Sequence, residues 1–245
     1  MQGYKRLPMG GIPNLRDLGG WAVPGGMTRY GVFLRSAVPR ALSPEDADFL
    51  REYGLRTVLD FRSLPECERV PDPLGELEWI RYEHIPMFDS AAAGAALRIR
   101  PEAEFNWAEH YIRMAEEQKN WMAAVLHALA RAEGCALFHC TTGKDRAGLV
   151  SALVLSLCGV CPEDVTADYC VSQVYLREMY AEMESGQKLC GGDLDCPFYS
   201  TAPGTMRAFL AYLRERYGGA AGYLAACGLD SRDAEAIRAR LCGKI

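Results

Sequence analysis

The chain has 245 residues, 49% of them hydrophobic and 24% charged, enough to bury a sizeable core without metals or staples. A formal charge of -5 and an isoelectric point near 5.5 exclude a general nucleic-acid binder, because backbone-phosphate affinity needs clustered lysine and arginine. Residues 1–20 are interrupted by Pro8, Pro13, Arg16 and Asp17, unlike a signal peptide or a membrane-inserting stretch. The expected location is the cytoplasm, with secretion lacking a signal peptide left open, and the ten scattered cysteines read as reduced, mostly buried thiols.

In chain order, a helix is expected from Ser43, which can cap it, through Pro44, Glu45 and Asp46 to a stop at Gly54. Thr57, Val58, Leu59, Asp60 and Phe61 then form a strand, and residues 79–82 a weaker one after a proline-rich connection. Over residues 104–130 apolar residues recur at helical spacing, as in Trp121, Val125, Leu126 and Leu129, until Gly134 breaks the pattern. A short buried strand at 135–138 and an almost wholly apolar helix at 147–158 follow. Pro162 opens a helix running past Tyr180, residues 186–203 form a long loop, and helices at 206–217 and 230–241 complete the chain. The order predicts an α/β fold, a central, largely parallel sheet flanked by helices, with further helices at the C-terminus, in one domain over 1–245.

Between the strand at 135–138 and the apolar helix lie His139, Cys140, Thr141, Thr142, Gly143, Lys144, Asp145 and Arg146. A cysteine followed six residues later by an arginine is weak evidence by itself, but a strand, a glycine turn and a helix N-terminus around it supply what phosphate chemistry requires. Amide groups from Thr141 to Arg146 can converge on a phosphate ion, the helix dipole favours the anion, and the same field favours a Cys140 thiolate. Arg146 offers a planar fork for two phosphate oxygens, Gly143 permits the turn, and Thr141 and Thr142 are small. Cys140 is thus the expected nucleophile, with a phosphocysteine intermediate hydrolysed by water.

These residues resemble the atypical bacterial tyrosine and lipid phosphatases of the cysteine-dependent protein-tyrosine phosphatase superfamily, whose loop reads His-Cys-x-x-Gly-Lys-Asp-Arg. Weaker matches are the run from Asn14 to Gly20, with Arg16 and Asp17, and the run Asp60, Phe61, Arg62, Ser63. The resemblance implies hydrolysis of phosphotyrosine in proteins, and of phosphoserine, phosphothreonine or phosphoinositides, without metal or other cofactor. It carries the general-acid role to Asp145 and pocket shaping to Asp60, and it implies helices over about 88–130 acting as a lid. The family commonly places a hydroxyl after the loop arginine; Ala147 stands here, which puts fast hydrolysis of the intermediate in question.

Several residues carry rival readings. Lys144 is either a second phosphate contact or a solvated lysine, and Asp60 either borders the pocket or pairs with Arg62. Asp89 rivals Asp145 as acid, and Arg16 with Asp17 reads as a turn ion pair or as support for the loop. The Cys158 and Cys161 pair, and Cys190 with Cys196, lack the neighbours a metal site needs, and His84, His110 and His127 lack ligand spacing, so no metal is expected. Alternatives to the phosphatase are a rhodanese-like sulfurtransferase, from residues 58–63 and 84–86, and a slow-turnover module that captures phosphorylated partners.

Overall fold

The computed structural model describes residues 5–88, 106–188 and 190–243. Short strands β1 (Arg16–Asp17), β2 (Ala22–Val23) and β3 (Gly26–Met27) lead into β4 (Phe33–Ala37), which is buried throughout. Helix α1 (Pro44–Glu52) starts as expected, with the Ser43 hydroxyl accepting the Asp46 N–H at 3.1 Å. Strand β5 (Leu55–Asp60), helix α2 (Leu64–Arg69), a 3-10 turn at Pro73–Glu76 and strand β6 (Arg81–His84) follow. Helices α3 (Trp107–Glu117) and α4 (Lys119–Arg131) precede strand β7 (Cys135–Cys140) and helix α5 (Arg146–Leu157). The remainder is helical: α6 (Pro162–Cys170), α7 (Ser172–Tyr175), α8 (Arg177–Gln187), α9 (Pro203–Tyr217), α10 (Ala220–Ala226) and α11 (Ser231–Cys242).

The main sheet has the order β1-β4-β7-β5-β6, with β1 antiparallel to β4 and every other pairing parallel; β2 and β3 form a separate hairpin. This is the expected α/β architecture. Strand β7 enters last and slots between β4 and β5, pairing Ala37 with Cys140 and Asp60 with His139. Its carboxyl end is therefore the floor of a crevice between strands laid down earlier, the position at which open α/β sheets place ligands.

Side-chain alternation along the strands sends Phe33 and Phe138 to one face and Leu34 and Leu137 to the other. The first face packs on Trp121, Val125 and Leu129 of α4, on α5, and on Phe209, Leu224 and Ile237 of the C-terminal helices. The second packs on Leu50 and Tyr53 around α1. Helix α5 is buried on all sides except at Arg146 and Ser156, which is why its sequence is almost wholly apolar. Each Leu or Val so enclosed contributes roughly 1.5–3 kcal/mol.

The structure departs from the sequence reading at four places. The helix expected from Pro162 past Tyr180 is broken into α6, α7 and α8; at the first break the Asp168 carbonyl turns to accept Arg16 Nη2 at 2.8 Å. The helix expected over 104–130 is two, meeting at Gln118, with Asn106 capping the first. The strand expected at 79–82 begins at Arg81, because Trp79 and Ile80 pack into the second core. Strands β1 to β4 and helices α2 and α10 were not anticipated.

Of the lid expected over about 88–130, Asp89, Phe105 and the alanine-rich stretch lie outside the described residues. Among the described residues no helix is long and apolar enough to cross a membrane.

Candidate active site

Cys140 ends β7 and Arg146 opens α5, so the seven residues 140–146 carry the chain from a strand end to a helix N-terminus. Gly143 has φ +69°, and a Cβ there would stand 2.2 Å from the Ser36 carbonyl oxygen, so both backbone conformation and space demand glycine. Two side chains grip the outside of this loop. Asn14 Nδ2 donates to the Thr142 carbonyl at 3.0 Å, and Arg35 Nη2 to the Gly143 carbonyl at 2.6 Å. In a trans peptide the N–H opposes its carbonyl, so pulling these carbonyls outward turns the Gly143 and Lys144 amides inward. The Gly143 N–H duly reaches Cys140 Sγ at 3.2 Å.

Arg146 is held by a residue the sequence analysis did not single out. Glu66 of α2 takes Arg146 Nη1 at 2.8 Å and Nη2 at 2.6 Å, and also accepts the Thr141 hydroxyl and the Ser63 N–H. Burial pushes the Glu66 carboxyl up, but the Arg146 guanidinium, Thr141 and Ser63 outweigh it and hold the carboxyl down to about 2. The fork is thereby aimed, with Nη1 also donating to the Phe61 carbonyl at 3.1 Å. The available signal was a capping box, Ser63 followed three residues on by Glu66.

Asp145 N-caps α5, accepts the Tyr111 hydroxyl at 2.6 Å and borders a cavity of about 150 Å³ above the loop. Thr141, Thr142, Lys144 and Arg146 line the same cavity. Lys144 is 2% exposed, not a solvated lysine: its ammonium lies 3.7 Å from the Trp107 ring centre, donates to the Phe198 carbonyl at 3.0 Å and is 3.6 Å from Asp145. Burial lowers its pKa, against the pull of Asp145. The upper walls are apolar and aromatic, from Phe88, Trp107, Met114, Tyr180, Phe198 and Tyr199.

Asp60 sits elsewhere. It is fully buried behind the loop, with Arg62 Nη2 at 2.7 Å and the Tyr82 hydroxyl at 2.7 Å, and it is not among the described residues that line the cavity. Burial opposes its ionisation, but His139, Arg62 and Tyr82 prevail and keep its pKa well below the ordinary range. His139 is buried beneath Cys140, with Nε2 2.8 Å from Asp72 and Nδ1 3.8 Å from Asp60. The ligand atoms of Asp60, Asp72 and His139 lie within 4.8 Å of one another, but Arg62 and Tyr82 already engage Asp60, which marks an ion-pair network.

Arg16 and Asp17 do not pair with each other. Arg16 Nε reaches Asp168 at 3.0 Å, and the same carboxylate takes Arg35 Nη1 at 2.6 Å, so Asp168 ties β1, β4 and α6 together directly behind the loop. Asp17 accepts the Gly19 and Gly31 amides and the Tyr53 hydroxyl. The expectation of ten free thiols also fails: Cys190 and Cys196 are joined in a disulfide, while Cys158 and Cys161 remain free.

A model of the tyrosine phosphatase family matches residues 7–243. The tyrosine-protein phosphatase of Nostoc commune is 28% identical over 217 residues, covering 85% of this chain and 74% of its own. A Cupriavidus necator relative, provisionally named for the same activity, is 34% identical over 176 residues; these cover 69% of this chain and 63%, under two thirds, of that protein. Among solved structures, a Neisseria meningitidis protein described as a phosphatase matches at 18% identity and TM-score 0.38, over 64% of this chain and 94% of its own. The core catalytic domain of the PP-IP phosphatase SIW14 from S. cerevisiae, in complex with citrate, matches at 15% identity and TM-score 0.36, over 66% and 93%.

Proposed function

This chain belongs to the tyrosine phosphatase family, and from that premise we propose that it hydrolyses phosphoric monoesters through a phosphocysteine at Cys140, acting on phosphotyrosine in proteins. The observation that carries the reading is the Gly143 N–H on Cys140 Sγ at 3.2 Å, at the end of the central strand and the start of α5. A donor already directed at sulfur stands where a phosphate oxygen would be bound. In the reaction Cys140 attacks phosphorus, the loop amides and the Arg146 fork hold the equatorial oxygens, and Asp145 protonates the departing phenol. Water, giving a proton back to the Asp145 carboxylate, then attacks phosphorus, breaks the S–P bond and releases inorganic phosphate, which frees the Cys140 sulfur for the next cycle.

The walls favour an aryl phosphate. Among the described lining residues the basic ones are His110, Lys144 and Arg146, and the last two are engaged by Phe198 and Glu66. An inositol carrying several phosphates would need further cations, whereas a phenyl ring gains from Trp107, Phe198 and Tyr199. Phosphoserine and phosphothreonine would reach the floor but leave those walls without a partner. Asp60 acts on the loop through His139, not on phosphate. Family membership speaks against a sulfurtransferase.

Ala147 favours a second reading, slow release from the intermediate, since no hydroxyl follows Arg146. Phosphate release from a phosphotyrosine peptide and a phosphoinositide panel tests the proposal. Cys140→Ser should abolish release by roughly a thousandfold or more, and equal activity in that variant would overturn the mechanism. A burst before the steady state is expected if hydrolysis of phosphocysteine is slow; a linear onset removes that reading. Asp145→Asn should slow poor leaving groups most.

A further inference from the structure

We propose that the Cys190–Cys196 disulfide and Glu184 form a brace that fixes one wall of the active-site cavity, so that the oxidation state of this cysteine pair sets affinity for the aryl phosphate without altering the chemistry at Cys140. The inference rests on the phosphatase reading of the site. Segment 190–199 contains neither helix nor strand, yet its end supplies Phe198 and Tyr199 to the cavity. A wall made from irregular chain needs something other than a backbone ladder to hold its shape.

Three sets of contacts do this. Glu184, on α8 and 5% exposed, accepts the Cys190 N–H at 2.9 Å, the Gly192 N–H at 2.8 Å and the Tyr199 hydroxyl at 2.7 Å. One carboxylate therefore joins the beginning of the segment to its end. The disulfide closes the same span covalently, and the Tyr199 N–H returns to the Cys196 carbonyl at 3.1 Å. On the catalytic side, Trp107 Nε1 donates to the Pro197 carbonyl at 2.7 Å and Lys144 Nζ to the Phe198 carbonyl at 3.0 Å.

The chain is thus pinned between the brace and the nucleophile loop. Tyr199 packs against Tyr180 with ring centres 4.5 Å apart and planes tilted by 31°, which passes the brace on to a second wall residue. Both cysteines are half-buried at the surface, within reach of a small thiol. Reduction by a dithiol breaks the one S–S bond, returns a proton to each sulfur and closes the reductant's own disulfide, two electrons in all. Glu184 alone then holds the segment, and substrate must order Phe198 and Tyr199 as it binds.

The test compares the wild type with Cys190→Ala/Cys196→Ala, each with and without dithiothreitol under anaerobic conditions, with free thiols counted. Substrates are para-nitrophenyl phosphate and a phosphotyrosine peptide. Reduced wild type and the double variant should share a KM for the peptide about fivefold above that of the oxidised protein, the scale of ordering one or two side chains, with kcat unchanged. The variant should ignore the reductant. Equal KM in all four preparations overturns the brace, as does a reductant effect that persists in the variant.

If the double variant fails to fold, reduction of the wild type and Glu184→Gln read the same KM. Phenyl phosphate binding to Cys140→Ser by calorimetry, oxidised against reduced, measures the affinity change without turnover. A protein that never hydrolyses either substrate would therefore refute the phosphatase reading while the brace is still decided by binding.

Discussion

Glu66 holds both arms of the Arg146 fork from the first turn of α2, and its ionisation couples the site to stability. Its carboxyl is held at about 2 in the folded protein against an ordinary 4.5. A depressed folded-state pKa stabilises above the unfolded value and loses that contribution as pH falls through the folded one. The contribution is therefore complete above pH 4.5 and disappears toward pH 2, with a ceiling on the order of 3 kcal/mol. Urea unfolding of Glu66→Gln should show a deficit at pH 7 that narrows below pH 4.5; a constant deficit down to pH 3 would place the effect elsewhere. The same variant should lower kcat/KM roughly tenfold to a hundredfold, because a fork aimed only by Phe61 and Thr141 wanders from its attack geometry.

At the level of elements, Asp168 on α6 is the joint between β1, β4 and the back of the loop from Cys140 to Arg146. Burial disfavours its charge, but Arg16 and Arg35 dominate and hold it at about 2. Asp168→Asn would leave two enclosed guanidinium groups short of compensation, and the expected loss is about 3–5 kcal/mol by urea midpoint. Because Arg35 also grips the Gly143 carbonyl, turnover should fall even where the variant is fully folded. Nothing in the sequence marked this joint: the three residues are 19 and 133 positions apart, and only the fold brings them together. By contrast β7, Gly143 and α5 were legible, since apolar runs and a glycine turn are local signals. Strand β4 was hidden because Arg35 and Ser36 interrupt its apolar residues, and a buried arginine reads as exposed until its partner is known. Glu66 was hidden for the same reason, its partner lying 80 residues away.

Over the whole molecule, Phe138 of β7 and Ile237 and Leu241 of α11 belong to one continuous core. The C-terminal helices should therefore not melt separately. Far-ultraviolet dichroism and tryptophan emission are expected to report one coincident unfolding transition, and Leu241→Ala should shift both equally, by about 2–5 kcal/mol. Two separated transitions would divide the helical third from the sheet and contradict a single domain.

The late entry of β7 into the sheet has a consequence for the life of the protein before it is an enzyme. Ala37 meets Cys140 across 103 residues of chain, and β5 meets β7 across about 80, so the crevice can close only after long loops have been brought together. Such distant pairings make folding slow, on the order of milliseconds to seconds. During synthesis β4, β5 and β6 emerge first, and until β7 and α5 have left the ribosome the cysteine has no amide cradle, no guanidinium beside it and no helix end beneath it. A half-made chain therefore holds Cys140 outside the surroundings that the proposed chemistry needs, and the last strand to arrive supplies them.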